Sequence, residues 1–209
     1  MAPTLEETLA AFERQVRTLA DQVLQIENGA FRKALYVAML DGLSACAYPN
    51  ETRSGQRFRA FVLNIGNWRD GERVSLPQSA LYFQADAAMN ADIAFLLNAW
   101  TWGQPQSITS DPFPNQLPAH ADLWRLQHVN LLWQFRNSML HAFADPGGFD
   151  IGNRVEPYYF GDIATHTWRL IIPEHFLRNL LLNSLDALIT FCRHNGFDPQ
   201  AHLGRELWL

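Results

Sequence analysis

The sequence predicts a mainly α-helical fold: one domain over residues 1–209, built as a helical bundle with a small β-hairpin before the last long helix. Apolar residues recur every three or four positions through most of the chain, which is the spacing of a buried helix face. Hydrophobic residues make up 48% of the sequence and charged residues only 18%, so one sizeable core is expected. Short runs of Tyr, Phe, Trp and Thr interrupt the helical spacing after residue 155 and predict the hairpin.

The first third of the chain predicts three helices. Thr4 and Glu7 match a capping box, and the helix that they open is predicted to end at Asn28-Gly29. Residues 30–47 are apolar nearly all round, which is typical of a central bundle helix. A third helix is predicted at about 55–67.

The rest of the chain predicts two helical segments, one loop, the hairpin and a closing helix. The first segment has a proline near its start and is followed by a long irregular stretch. The second segment is predicted to end before Asp145-Pro146-Gly147-Gly148. In chain order, these predictions cover residues 75–102 (helical), 103–119 (irregular and Pro-rich), 119–144 (helix), 156–172 (hairpin) and 174–194 (helix).

Charge and hydropathy exclude several classes of protein. The formal net charge of −5 argues against a general nucleic-acid coat, which carries a basic surface. The acidic N-terminus has no secretory pattern, and no apolar run approaches the roughly 20 residues that span a bilayer, so a cytoplasmic protein without a membrane partner is predicted. The low charged fraction predicts an apolar surface that a second copy covers, hence a homodimer. Cys46 and Cys192 are interpreted as small buried hydrophobes.

Arg136, Asn137 and His141 are the candidate catalytic residues. On a helix, Asn137 and His141 lie one turn apart, and Arg136 lies about 100° round from Asn137. A guanidinium can hold two phosphate oxygens, and a histidine can accept or donate a proton near neutral pH. Asn137 would orient the histidine or bind a phosphate oxygen. The same residues also fit a structural role, with His141 at the negative end of the helix dipole and Arg136 paired with a carboxylate.

The segment Phe135-Arg136-Asn137-Ser138-Met139-Leu140-His141 resembles the signature of the HEPN superfamily, in which an arginine, a polar residue, three further residues and a histidine follow one another. Residues 31–78 also resemble uncharacterised bacterial HEPN-like proteins. The acidic charge and the inserted hairpin depart from the simplest form of the family.

This resemblance implies a bundle of four or more helices and a dimer that brings two motifs together across a cleft. Many members are metal-independent endoribonucleases of toxin or defence type, so the implied partners are RNA and a cognate antitoxin or partner protein, with no metal or other cofactor. Other members bind nucleotides or have lost activity. A non-catalytic, nucleotide-binding or partner-binding dimer is therefore the alternative.

Two weaker sets of residues were considered for binding. Arg53, Arg57 and Arg59 outnumber nearby acids and would form either a local anion-binding face or a solvated helix surface. The pairs His120 with His128 and His166 with His175 offer too few ligands at a suitable spacing, so no metal site is predicted.

Overall fold

The computed structural model describes residues 3–142, 144–146, 150 and 153–202. It confirms a mainly helical chain with one small antiparallel sheet. The helices and strands are α1 (Leu5–Val23), α2 (Gly29–Ala47), α3 (Ser54–Ala60), α4 (Leu76–Tyr82), α5 (Ala87–Leu97), β1 (Pro105–Ser107), α6 (His128–His141), β2 (Tyr158–Asp162), β3 (Thr167–Ile171) and α7 (Glu174–Asn195). No helix in the described ranges is both long enough and apolar enough to cross a membrane.

The chain divides into two compact units. We call them the helical unit, made of Met1–Trp68, Met139–Ala144 and Leu177–Leu209, and the sheet unit, made of Arg69–Ser138 and Asp145–Phe176. A single domain over residues 1–209 stays a prediction.

The predicted capping box of α1 is confirmed. The Thr4 amide donates to Glu7 Oε2 at 2.8 Å, and the Glu7 amide donates to Thr4 Oγ1 at 3.3 Å. The predicted end of this helix at Asn28-Gly29 is wrong, because α1 ends at Val23. Asn28 instead caps α2: its Oδ1 accepts the amides of Ala30 (2.9 Å) and Phe31 (3.2 Å), a role that asparagine fills well.

In the helical unit, α1 runs antiparallel to α7. Glu6 pairs with Arg193 (2.9 Å), Arg17 pairs with Asp186, and Asp21 pairs with Arg178 (3.0 Å), so the partners run in opposite directions along the two helices. Water screens exposed pairs of this kind, so they contribute little to stability, and each helix also has a buried apolar face. These faces include Leu9, Phe12, Val16, Leu181, Leu185 and Leu188.

The third predicted helix is present with a change of hydrogen-bonding pattern. The α-helical turns of α3 continue as a π-helix over Phe61–Ile65, and Gly66 follows. A Cβ atom at Gly66 would lie 2.6 Å from Ser184 Oγ and 2.8 Å from the Val62 carbonyl oxygen. Glycine is therefore required here by the close approach of α7.

Cys46 and Cys192 are both buried and form no disulfide, which confirms their interpretation as small core residues. Burial raises the pKa of Cys46 to about 12 and that of Cys192 to about 11. Since the thiolate is the reactive form, both side chains are held in an unreactive state at neutral pH.

We expect both thiols to react with Ellman's reagent at pH 8 at least about 100-fold more slowly in the folded protein than in guanidinium, because the pKa of an unfolded cysteine is about 8.5. Absorbance at 412 nm measures the reaction, and the unfolded protein is the control. Rapid release of two equivalents of thionitrobenzoate from folded protein would contradict this expectation.

In the sheet unit, the predicted helical segment 75–102 is two helices. Ser75 caps α4 by accepting the Gln78 amide at 3.3 Å. Asp86 then caps α5 by accepting the Met89 amide at 3.1 Å. The mostly helical pattern is therefore confirmed, and the segment is divided because the Asp86 carboxylate satisfies a first-turn amide and starts a new helix.

The predicted hairpin is confirmed as β2 and β3, which are antiparallel. The sheet also contains β1, so its strand order is β1-β2-β3. β1 lies inside the 103–119 segment that was expected to be wholly irregular, and it pairs Gln106 with Tyr159.

The helix predicted over 119–144 starts later than expected, whereas the closing helix lies where the sequence predicts it. α6 begins at His128 and not near residue 119, because a short 3-10 turn over Leu123–Leu126 comes before it. Gly147 and Gly148, which were predicted to follow the helix in a turn, lie outside the described residues. The closing helix is confirmed as α7, whose Glu174 amide donates to Asp150 Oδ2 at 3.0 Å.

Candidate functional site

Helix α6 carries all three predicted catalytic residues. Arg136 Nη1 donates to Asn137 Oδ1 at 3.0 Å. The Arg136 guanidinium carbon also lies 4.8 Å from the centre of the Trp133 ring, within cation–π range. The guanidinium is thus positioned by two neighbours on its own helix.

Both of these contacts lie on one side of Arg136. At 100° per residue, His141 lies about 140° round the helix from Arg136, which is too far for a shared face by spacing alone. Going round the helix from Arg136, both Trp133 and Asn137 lie in the same direction as His141. The contacts therefore turn the guanidinium towards the strip of α6 that carries Asn137 and His141.

His141 is exposed and is the last residue of α6. Asn137 lies one turn before it, and Arg136 and Asn137 are half-buried. An exposed imidazole can meet a ligand from solvent, which a core histidine cannot do. Their spacing places the Asn137 amide and the exposed His141 imidazole on the same side of α6.

The three arginines predicted to form a second anion-binding face lie in different environments. Arg53 is exposed and pairs with Glu51 at 3.5 Å. Arg57 is largely buried and lies 3.9 Å from Asp41. Burial lowers the pKa of the half-buried Arg59 below its usual value. Two of the three guanidiniums already face carboxylates, so the arrangement gives little support to a shared anion site.

The histidine pairs considered for metal binding are also separated. His120 lies before α6, where its Nδ1 accepts the Asp122 amide at 3.1 Å, so its expected position on one helix with His128 is wrong. His166 is at the hairpin turn with a φ of 50°, beside Trp102. His175 is exposed on α7.

A buried polar cluster in the sheet unit was not predicted from the sequence. It consists of Ser75, Asp111, His128 and Tyr159, none more than 1% exposed. The Tyr159 hydroxyl lies 2.8 Å from Asp111 Oδ2 and 2.7 Å from Ser75 Oγ. His128 Nε2 lies 2.7 Å from Asp111 Oδ2.

This cluster joins four separate parts of the sheet unit. Ser75 is the cap of α4, Asp111 lies in the Pro-rich segment, His128 begins α6 and Tyr159 is in β2. Burial, and then the negative charge of Asp111, raise the pKa of Tyr159 well above its usual value. Side chains this deeply buried do not meet a substrate, so the cluster has a structural role.

No protein-family model, curated protein or solved structure matches this chain. Membership of the HEPN superfamily remains a hypothesis based on the motif.

Proposed function

We propose that this chain is a HEPN-like helical-bundle protein, cytoplasmic and homodimeric, that cleaves RNA without a metal cofactor in a toxin or defence role. Arg136 binds the phosphate, His141 transfers the proton, and Asn137 positions the arginine. The observation that carries the proposal is the hydrogen bond from Arg136 to Asn137, which turns the guanidinium towards the exposed face of α6 that carries His141.

The chemistry needs only the groups on this strip and the RNA itself. The ribose 2′-oxygen forms a bond to the adjacent phosphorus, and the bond from phosphorus to the 5′-oxygen breaks. His141 takes the proton of the 2′-hydroxyl, and an imidazolium, that of the same residue or of a second copy, returns a proton to the leaving 5′-oxygen. Arg136 stabilises the charge that develops on the phosphate oxygens. The products are a 2′,3′-cyclic phosphate and a 5′-hydroxyl.

The test is incubation of purified protein with 5′-labelled single-stranded RNA, with and without EDTA. We expect cleavage that survives EDTA and leaves a 2′,3′-cyclic phosphate end. His141→Ala and Arg136→Ala should each reduce the rate at least about 100-fold, which is the usual contribution of a general acid–base group or of an oriented charge. Arg136→Lys keeps the charge and loses the planar fork, so its rate should fall between that of the wild type and that of Arg136→Ala.

His175→Ala and Arg125→Ala are the matched controls, because each removes an exposed side chain of the same type elsewhere. Both should cleave at the wild-type rate, and thermal melting of every variant separates loss of activity from loss of folding. Absence of cleavage by the wild-type protein, loss of cleavage in EDTA, or full activity of His141→Ala would each refute the proposal.

A further inference from the structure

A pocket of about 260 Å³ lies within the sheet unit, between α6 and β3. Its lining combines apolar and aromatic side chains with a few polar ones. The lining includes Gln78, Gln134, Phe135, Ser138, Trp168 and Arg169. Drug-sized ligands occupy pockets of roughly 300–1,000 Å³, so this one is sized for a single ring system.

The aromatic wall of the pocket is fixed in place. Trp168 stacks on Trp102, with ring centres 4.6 Å apart and planes 21° apart, and meets Trp100 edge-on at 5.2 Å. A Cβ atom at Gly161 would lie 2.8 Å from both Trp102 Cε3 and Trp168 Cζ3, so glycine is required for this stack. Trp168 lines the pocket and is held before any ligand arrives, which reduces the entropy cost of binding.

The polar groups of the pocket are not used by the protein. The side chains of Gln78, Gln134 and Ser138 make no hydrogen bond within the described part of the chain. Each glutamine amide offers both a donor and an acceptor. Arg169 adds a positive charge at the rim, where it lies 3.6 Å from Asp162.

We propose that this pocket binds one unpaired nucleobase. Its indole and phenyl side chains form an aromatic wall, and its two amides supply both donors and acceptors, the groups with which the edges of bases pair. A purely apolar ring would leave both amides unpaired, and a sugar would not use the indole and Phe135 walls as fully.

The position of the pocket on α6 connects it to the proposed cleavage site. Ser138 lines the pocket and lies three residues before His141, about 60° round the helix from it. This inference rests on the proposed function, because an RNA whose cleaved bond lies at His141 would bring a neighbouring base to the pocket. A base inside a duplex cannot enter, so the substrate is single-stranded at this point.

The test measures binding of AMP, GMP, CMP and UMP to the Arg136→Ala variant, by tryptophan fluorescence and by saturation-transfer NMR. Gln134→Leu and Gln78→Leu, each built in that background, should weaken binding of the preferred nucleotide about tenfold, the effect of losing one hydrogen bond. Gln84→Leu replaces an exposed glutamine outside the pocket and should leave the affinity unchanged.

The inference is overturned if none of the four nucleotides binds, or if both pocket variants bind as tightly as their parent. It is supported if one nucleotide binds and the loss follows Gln134 and Gln78 but not Gln84. Because a mononucleotide has no internucleotide bond to cleave, its binding is measured independently of ribonuclease activity, and failure of that activity and failure of the base pocket give different results.

Discussion

Asp111→Ala is expected to lower the free energy of unfolding by at least about 3 kcal/mol, because three buried groups lose their acceptor at a cost of about 1–3 kcal/mol each. Asp111 Oδ1 accepts the Leu76 amide at 3.2 Å, and Oδ2 accepts the Tyr159 hydroxyl and contacts His128 Nε2. Alanine would leave these three groups buried without their acceptor. The loss combines the removed hydrogen bonds with the desolvation cost of the groups that remain.

Urea denaturation followed by circular dichroism measures this loss. Asp92→Ala is the matched control, because Asp92 is an exposed aspartate on α5 of the same unit, and it should change stability by less than about 0.5 kcal/mol. If Asp111→Ala does not fold, Asp111→Asn tests the same cluster, since it keeps the shape and one acceptor oxygen and should lose less stability. A loss below about 1 kcal/mol for Asp111→Ala would show that the cluster does not hold the sheet unit together.

The sequence predicts elements well where local chemistry decides them. Thr4 and Glu7 are three residues apart, and their mutual hydrogen bonds form within one turn. The hairpin strands were recognised because β-branched and aromatic residues cluster on both sides of a turn. Asn28 shows the limit of such reasoning: asparagine suits either end of a helix, and only the structure shows that it caps α2.

Features that depend on distant residues were missed. β1 has no strand pattern of its own and forms because β2 offers it a partner. The buried cluster joins positions from Ser75 to Tyr159, and no spacing in the sequence connects them. The presence of Asp111 in a Pro-rich segment is a weak signal, because most such aspartates lie in solvated turns.

The geometry of the candidate site could be predicted from the sequence only in part. The spacing of Asn137 and His141 places them on one side of a helix, and this could be derived from the sequence alone. The direction of the Arg136 side chain could not be derived from the sequence, because a long side chain can leave its helix on either side. The contacts with Trp133 and Asn137 provide that direction, and the neighbouring pocket adds residues from β3 that no motif indicated.

Tyr159→Phe should remove both a hydrogen-bonded hydroxyl and a pH dependence. At pH 8 we expect the variant to be about 1–3 kcal/mol less stable than the wild type, since Asp111 and Ser75 lose their partner. Tyr82→Phe, which removes the hydroxyl of a 45% exposed tyrosine, is the control and should cost less than about 0.5 kcal/mol at this pH.

The stability that Tyr159 contributes should decrease in alkali. Its folded-state pKa lies well above the value of about 10 in an unfolded chain, so the unfolded state loses this proton first as the pH rises. The contribution is fully present below pH 10 and is lost as the pH rises from there towards the folded-state pKa. Between pH 8 and pH 11 the stability difference between wild type and Tyr159→Phe should therefore shrink by about 1.4 kcal/mol, measured by urea denaturation at each pH. An equal difference at both pH values would mean that the Tyr159 hydroxyl ionises as easily in the folded protein as in the unfolded chain, which its burial against the Asp111 carboxylate opposes.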